Sequence, residues 1–336
     1  MGGTLTGSRS AHAPLVLGIP SKGRLQENAA AFFARAGLEI TRGGERDYRG
    51  RLAGLKNAEV AFLSATDIVS QLISGEVHLG ITGEDLIRET INGVEDKVEL
   101  LTPLGFGHAD VVVAVPRAWI DVRTMADLED VAAAYQARRG QRMRVATKYV
   151  NLTRRFFAAC HIADYRIVES LGATEGAPAA GKAELIVDIT TTGATLAANG
   201  LKILDDGLIL RSRANLVASL QASWDAGHRE LARIILSRIA AEEEARTTRE
   251  VSALMPCLDE QCLAAARSAY GAHVRFYSKE GWLILNCPAE QAAMLADWLI
   301  AEGAAYVRVS TCDYIFSAQN VLYEKLMRRL PDLDES

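Results

Sequence analysis

The chain has 336 residues, 49% of them apolar, which is enough for two or three domains with a large core and excludes global disorder. A net charge of −5 disfavours broad nucleic-acid or membrane-surface binding, although local basic pockets can still take small anions. No apolar run approaches the ~18 residues of a membrane span, and residues 1–13 carry no apolar core of a signal peptide and are expected to form a disordered leader.

Leu15 to Ile19 reads as a short buried strand, Pro20 to Arg24 as a loop, and Leu25 to Ala36 as a helix with Leu25, Ala29, Phe32, Phe33 and Ala36 on one face. Glu59 to Leu63 is a strand followed by a helix from Thr66 to Ser74. Val77 to Ile81 is another strand, opening into Thr82-Gly83-Glu84-Asp85 and a further helix. This alternation predicts a mainly parallel α/β sheet. Asp110 to Val115 begins a second lobe, with strands at Arg144 to Ala146 and Tyr165 to Glu169 and a helix over Asn151 to Ala159. Leu208 to Leu220 alternates in part and reads as one long crossing strand. Ala226 to Arg246 is a long helix, apolar at Leu231, Ile234, Ile235 and Ile239, then charged at Glu242 to Glu244. Beyond it, Val251 to Met255, a helix over Gln261 to Ala269, strands at His273 to Tyr277 and Trp282 to Asn286 around the Lys279-Glu280-Gly281 turn, a helix over Gln291 to Ala301 and a strand over Ala305 to Ile315 follow in the order βαββαβ. That order is the ferredoxin-like pattern.

The chemistry concentrates at strand ends. In Ala183 to Leu201, an apolar run ends in Asp188 and opens through Thr190, Thr191, Thr192, Gly193, Ala194 and Thr195 into a short helix. Unpartnered N–H groups at a helix start, hydroxyl donors and a glycine together suit a phosphate. Asp188 is placed to accept from ligand hydroxyls, so the pair suits a phosphorylated ribose. An ordinary capped strand–turn–helix corner fits the same residues. No Walker loop and no GxGxxG is present. Lys22-Gly23-Arg24 follows the first strand and suits pyrophosphate, or is a solvated basic turn. Glu84 suits a ligand hydroxyl or a water-bridged magnesium ion, or is a helix-start acid favoured by the dipole. Glu175 lies in a loop before a strand, Tyr149 either stacks on a base or fills core, and Arg46 lies in a Gly/Arg-rich segment that can reach an anion. The six histidines are scattered, and Cys160, Cys257, Cys262, Cys287 and Cys312 form no CxxC or zinc spacing, which points to reduced thiols and a cytoplasmic location. Strand-end groups that bind phosphates and hydroxyls, without a nucleophile, favour group transfer driven by positioning and electrostatics.

Taken together, IPSKGRL, EVHLGITGEDL, RVATKY, GATEGAP and DITTTGATLAANGL resemble the ATP phosphoribosyltransferase family, in that family's order, over Leu15 to Leu220. The resemblance implies two periplasmic-binding-protein-like (type II) lobes. In them N1 of ATP attacks C1 of phosphoribosyl pyrophosphate (PRPP), with inversion and release of pyrophosphate, at the first step of histidine biosynthesis. It implies that Asp188 to Thr195, with Glu175, hold PRPP. Lys22, Gly23, Arg24, Glu84, Arg46 and Tyr149 would meet ATP or pyrophosphate. Mg²⁺ would be held largely by substrate oxygens. The long form of the family carries a C-terminal ferredoxin-like (ACT-like) domain that binds histidine as feedback inhibitor and assembles dimers into hexamers. The βαββαβ tail resembles it, while the sequence from Glu250 to Ser336 departs from the usual one. Val150 also replaces an expected proline. The expected division is 14–106 with 202–225 as lobe I, 107–201 as lobe II, 226–249 as a connecting helix and 250–336 as the regulatory domain. The alternative is a non-catalytic two-lobed small-molecule-binding or regulatory paralogue. Neither nucleic acid nor membrane is expected as a partner.

Overall fold

The structure is a computed structural model describing residues 13–332 apart from Gly43, Glu45, Arg46, Asn92 and residues 256–258. The expected leader, Arg46 and Cys257 therefore lie outside the described residues, Ala13 excepted. The chain divides into two compact units, residues 1–30, 41–51 and 57–223, and residues 31–40, 52–56 and 224–336.

The first unit contains two sheets. In chain order the elements before residue 104 are β1 (Leu15–Pro20), α1 (Gly23–Arg35), β2 (Ile40–Arg42), β3 (Arg49–Leu52), β4 (Ala58–Leu63), α2 (Ala65–Ser74), β5 (Leu79–Gly83), α3 (Glu84–Thr90), α4 (Val94–Lys97) and β6 (Val98–Pro103), of which residues 31–35 of α1, Ile40 and Leu52 belong to the second unit. There follow β7 (Ala109–Pro116), α5 (Met125–Arg139), β8 (Met143–Thr147), α6 (Val150–Ala159), β9 (Tyr165–Glu169), β10 (Leu185–Thr190), α7 (Ala194–Ala198), β11 (Leu201–Ser212) and β12 (Ala214–Ser219). The first sheet runs β2-β3-β4-β1-β5-β12-β6, and the second β11-β7-β10-β8-β9. Each has a parallel centre: β1 lies parallel to β4 and β5, and β8 parallel to β9 and β10. Antiparallel strands flank these centres, β12 beside β5 and β7 beside β10.

Both faces of the second sheet are covered, which is why its strands read as unbroken apolar runs rather than alternating ones. Val111, Val113, Val145, Leu185 and Val187 face one core, and Val112, Ala114, Ala146 and Ile186 the other. Helix α2 shows how local chemistry bounds an element: Ser64 caps it by accepting the Asp67 N–H at 3.1 Å, and Gly75, at φ +82°, ends it. No side chain fits at Gly75, since a Cβ would sit 2.6 Å from the Gln221 carbonyl oxygen.

The expected long strand over Leu208 to Leu220 is broken at Arg213. Up to Ser212 it pairs with β7 in the second sheet, and from Ala214 it pairs with β5 and β6 in the first. Residues 202–212 thus join the second sheet, whereas the sequence reading put 202–225 in lobe I. Helix α5 was not expected. Only Met125, Leu128 and Ala132 of its residues are buried, too narrow a stripe to stand out among its alanines. Its capping box, Thr124 with Asp127, is present in the sequence.

The second unit contains α8 (Ala226–Thr247), β13 (Thr248–Leu254), α9 (Glu260–Tyr270), β14 (His273–Tyr277), β15 (Trp282–Pro288), α10 (Ala292–Ala301), β16 (Tyr306–Ser310) and α11 (Val321–Met327). Its antiparallel sheet runs β14-β15-β13-β16, the ferredoxin-like order. Val251, Ala253, Leu283 and Leu285 pack on Leu295 and Leu299 of α10. The sheet begins at Thr248, within the range expected for the connecting helix. The last strand ends at Ser310 rather than Ile315, whose N–H instead donates to the Ala241 carbonyl at 3.0 Å.

Candidate active site

The loop after β10 encloses a cavity of about 290 Å³ lined by Glu175, Asp188, Thr190, Thr191, Thr192 and Thr195 among others. Strand alternation puts Ile186, Asp188 and Thr190 on one face, and the apolar part of that face packs Leu196 of α7 beneath the loop. Gly193, at φ +75°, turns the chain into α7, where a side chain would be strained. Its N–H donates to Thr190 Oγ1 at 2.9 Å, and the Ala194 N–H to Thr192 Oγ1 at 3.4 Å. The threonine hydroxyls thus satisfy two backbone N–H groups of the turn into α7.

Asp188 is half-buried, and burial pushes its carboxyl above the usual range. The Ile189 N–H, 2.8 Å from Oδ1, and the Lys148 ammonium oppose that rise, while the Glu175 carboxylate adds to it. Glu175 sits on a single 3₁₀ turn, Thr174–Gly176, entered through Ala173 at φ +51°. Among the described residues no group of three or more His, Cys, Asp or Glu side chains is placed to hold a metal ion. Glu175 and Asp188 are the acidic groups at this cavity, which suits an ion held chiefly by substrate phosphate oxygens and water.

The other expected residues fall elsewhere. Lys22 and Arg24 are exposed at the carboxyl end of β1, beside Gly23 at φ +75°, and do not line this cavity. Glu84 turns to Arg88 of its own helix, with Nε 2.7 Å from Oε1, rather than into the loop. Tyr149 corrects the expectation of a base-stacking ring. It is 1% exposed within the second lobe's core, and its hydroxyl donates to Asp85 Oδ2 at 2.7 Å. Burial and the Asp85 charge push that phenol far above its ordinary range, so it stays a donor.

Asp85 itself escaped the sequence reading, which favoured its neighbour Glu84. It is buried, and Ser212 Oγ donates to Oδ1 at 2.7 Å while accepting the Asp85 N–H at 3.0 Å. A Cβ at Gly83 would collide with Asp85 Oδ1, so the Thr82-Gly83-Glu84-Asp85 string is built to let this carboxylate fold back. Glu89 was also missed. Its carboxylate accepts the N–H groups of Asn151 and Leu152, each at 2.9 Å, at the start of α6. The glycine was the available local signal for Asp85; Ser212, 127 residues away, offered none.

Two α/β lobes, each a sheet with a parallel centre, and a threonine–glycine loop over a cavity at the carboxyl end of a strand define a two-lobed α/β protein with a candidate ligand site at a strand end. A family model described as HisG, ATP phosphoribosyltransferase, matches residues 64–241. The chain is 58% identical to an ATP phosphoribosyltransferase of Nitrobacter winogradskyi, over 93% of this chain and 97% of that protein. It is 59% identical to one of Bradyrhizobium diazoefficiens, over 94% and 98%. Among solved structures, the ATP phosphoribosyl transferase (HisG:HisZ) complex of Thermotoga maritima matches at 25% identity and a TM-score of 0.52, over 67% of this chain and 98% of that one. The chain belongs to the ATP phosphoribosyltransferase family. It is accordingly an enzyme, a phosphoribosyltransferase of the first step of histidine biosynthesis.

Proposed function

We propose that the loop after β10 holds PRPP and that the phosphoribosyl group passes there to N1 of ATP. The observation carrying this is the single cavity bounded by Asp188, Glu175 and Thr190 to Thr195. Its hydroxyls and turn N–H groups suit the 5′-phosphate, and Asp188 suits the ribose hydroxyls. Lys22, Gly23 and Arg24, at the carboxyl end of β1, would meet pyrophosphate or the ATP phosphates. N1 attacks C1 with its own lone pair, the C1–O bond breaks with inversion, and pyrophosphate departs with the electron pair. No general base is assigned. Asp188 and Glu175 are the acidic groups that would stand beside a substrate-bound Mg²⁺, which would supply charge neutralisation for the departing pyrophosphate. The chain's residues orient the sugar and stabilise charge that develops at C1 and on pyrophosphate.

We further propose that the chain self-associates, as dimers building hexamers, and that L-histidine inhibits it through the ferredoxin-like domain. The four-stranded sheet of the second unit supports this, as does its place after the catalytic lobes. The test is turnover with ATP, PRPP and Mg²⁺, read as pyrophosphate release and as the absorbance change of N1-substituted adenine. Product requiring both substrates is expected, and no turnover under those conditions overturns the assignment. Added histidine should lower the rate, and sedimentation should give a particle larger than the monomer.

A further inference from the structure

A hydrogen-bonded group joins the two lobes without entering the reaction described above. Asp85, at the start of α3 in the first lobe, is held by Tyr149 and Ser212 of the second. Tyr149 ends the turn after β8, and the residue before it is Lys148. That turn is firmly set. The Tyr149 N–H donates to Thr147 Oγ1 at 2.8 Å, and the Lys148 ammonium stands 5.0 Å from the Tyr149 ring centroid, within cation–π range. Strands β8 and β10 are parallel neighbours, with Val145 opposite Leu185 and Ala146 opposite Ile186. The register ends there, and β8 ends at Thr147, so Lys148 follows directly in the turn beyond β8, on the side where β10 runs on to Asp188. Lys148 is exposed, and its charge is felt at Asp188.

We propose that Lys148 is a cationic binding residue for the phosphoribosyl ligand, and that Asp85 is a positioning residue that sets it through Tyr149. The proposal rests on the assignment of the loop to PRPP. A lone carboxylate pair at that loop's cavity, Asp188 with Glu175, would repel a polyphosphate. Lys148 supplies the compensating charge from the turn that follows β8, the strand next to that of Asp188. A lysine acts as a point charge and needs its stem held to be effective, and the Tyr149 ring holds it. The ring in turn has its hydroxyl anchored in the opposite lobe, so the cation's place depends on how the lobes are set.

The test uses the full chain with Lys148→Met, Lys148→Arg, Tyr149→Phe and the double variant Tyr149→Phe/Lys148→Met. PRPP affinity is measured by calorimetry, and KM for each substrate by steady-state turnover. Lys148→Met is expected to weaken PRPP binding about 10- to 100-fold, the range for a lost charged contact, with KM for ATP unchanged and partial recovery in Lys148→Arg. Tyr149→Phe is expected to weaken PRPP binding several-fold. The double variant should bind no worse than Lys148→Met, because the two act in one chain of contacts. Unchanged PRPP affinity in Lys148→Met overturns the binding role. Additive losses, or Tyr149→Phe losing thermal stability with PRPP affinity intact, overturn the positioning role. If the unaltered protein turns over but Lys148→Met binds equally well, this proposal alone fails. If the unaltered protein does not bind PRPP, the assignment of the loop fails and this proposal with it.

Discussion

Replacing Glu89 by alanine removes the cap of a helix in the other lobe. Helix α6 begins after Tyr149, which has no capping side chain and lies at φ −96°, ψ 64°. The orphan N–H groups of Asn151 and Leu152 find the two oxygens of Glu89 instead, each at 2.9 Å. Losing a cap costs about 0.5–2 kcal/mol, and losing a negative charge at a helix N-terminus about 0.3–1 kcal/mol more. Glu89 is partly exposed, so water refills the site and holds the sum to about 1–2 kcal/mol. That corresponds to a fall of about 2–8 °C in the midpoint for a unit of this size. Glu89→Gln keeps one acceptor and should lose about half as much. Urea denaturation and calorimetry read both. An alanine variant within about 0.3 kcal/mol of the parent, below the range for a lost cap, would refute the reasoning, as would glutamine costing as much as alanine.

Three further outcomes are expected. Asp188→Asn should lower turnover about 10- to 100-fold by removing a charged acceptor, yet unfold later than the parent. Because the folded protein raises this carboxyl above its unfolded value, its ionisation opposes folding; the stability gained with the proton on is complete below the unfolded pKa and lost as pH rises through the folded one. The advantage of the amide in thermal melts should therefore grow from acid to neutral pH, and a constant or reversed difference would contradict it. Gly193→Ala meets only Ile203 Cδ1, at 3.6 Å, so its cost is the left-handed backbone, about 1–2 kcal/mol. Kinetics should place the damage in KM for PRPP rather than for ATP. In the second unit, Arg35→Ala strands the buried Glu242, whose Oε2 has no hydrogen-bond partner among the described residues. With Arg35 itself 48% exposed, the loss should be about 1–3 kcal/mol, and adding Glu242→Gln should recover part of it in denaturation curves.

The elements that were legible in the sequence are those whose pattern is local. The βαββαβ tail declared itself through alternation at Val251, Ala253, Leu283 and Leu285 and through a glycine turn, and the sheet order follows. The threonine loop was legible because hydroxyls, a glycine and an acid fall within eight residues. Tyr149 and Glu84 show that a residue's address is not its direction. Tyr149 lies beside the cavity's strands but points to Asp85, and Glu84 is claimed by Arg88 one turn along its helix. The break at Arg213 was invisible because both halves of the run are apolar, and only pairing to β7 or to β5 separates them.

That break governs how the lobes can move. Ladder bonding holds Ser212 to one sheet and Ala214 to the other, and the Arg213 carbonyl accepts the Glu84 N–H at 3.1 Å. Among the described residues the other crossing between the sheets is the short segment 104–108, between β6 and β7. Rotation of one lobe against the other therefore has the two dihedrals of a single residue to use on one crossing and a handful on the other. Such a linkage has few degrees of freedom: any rotation of the lobes would follow close to a single path, and a spectroscopic label near residue 213 would report it.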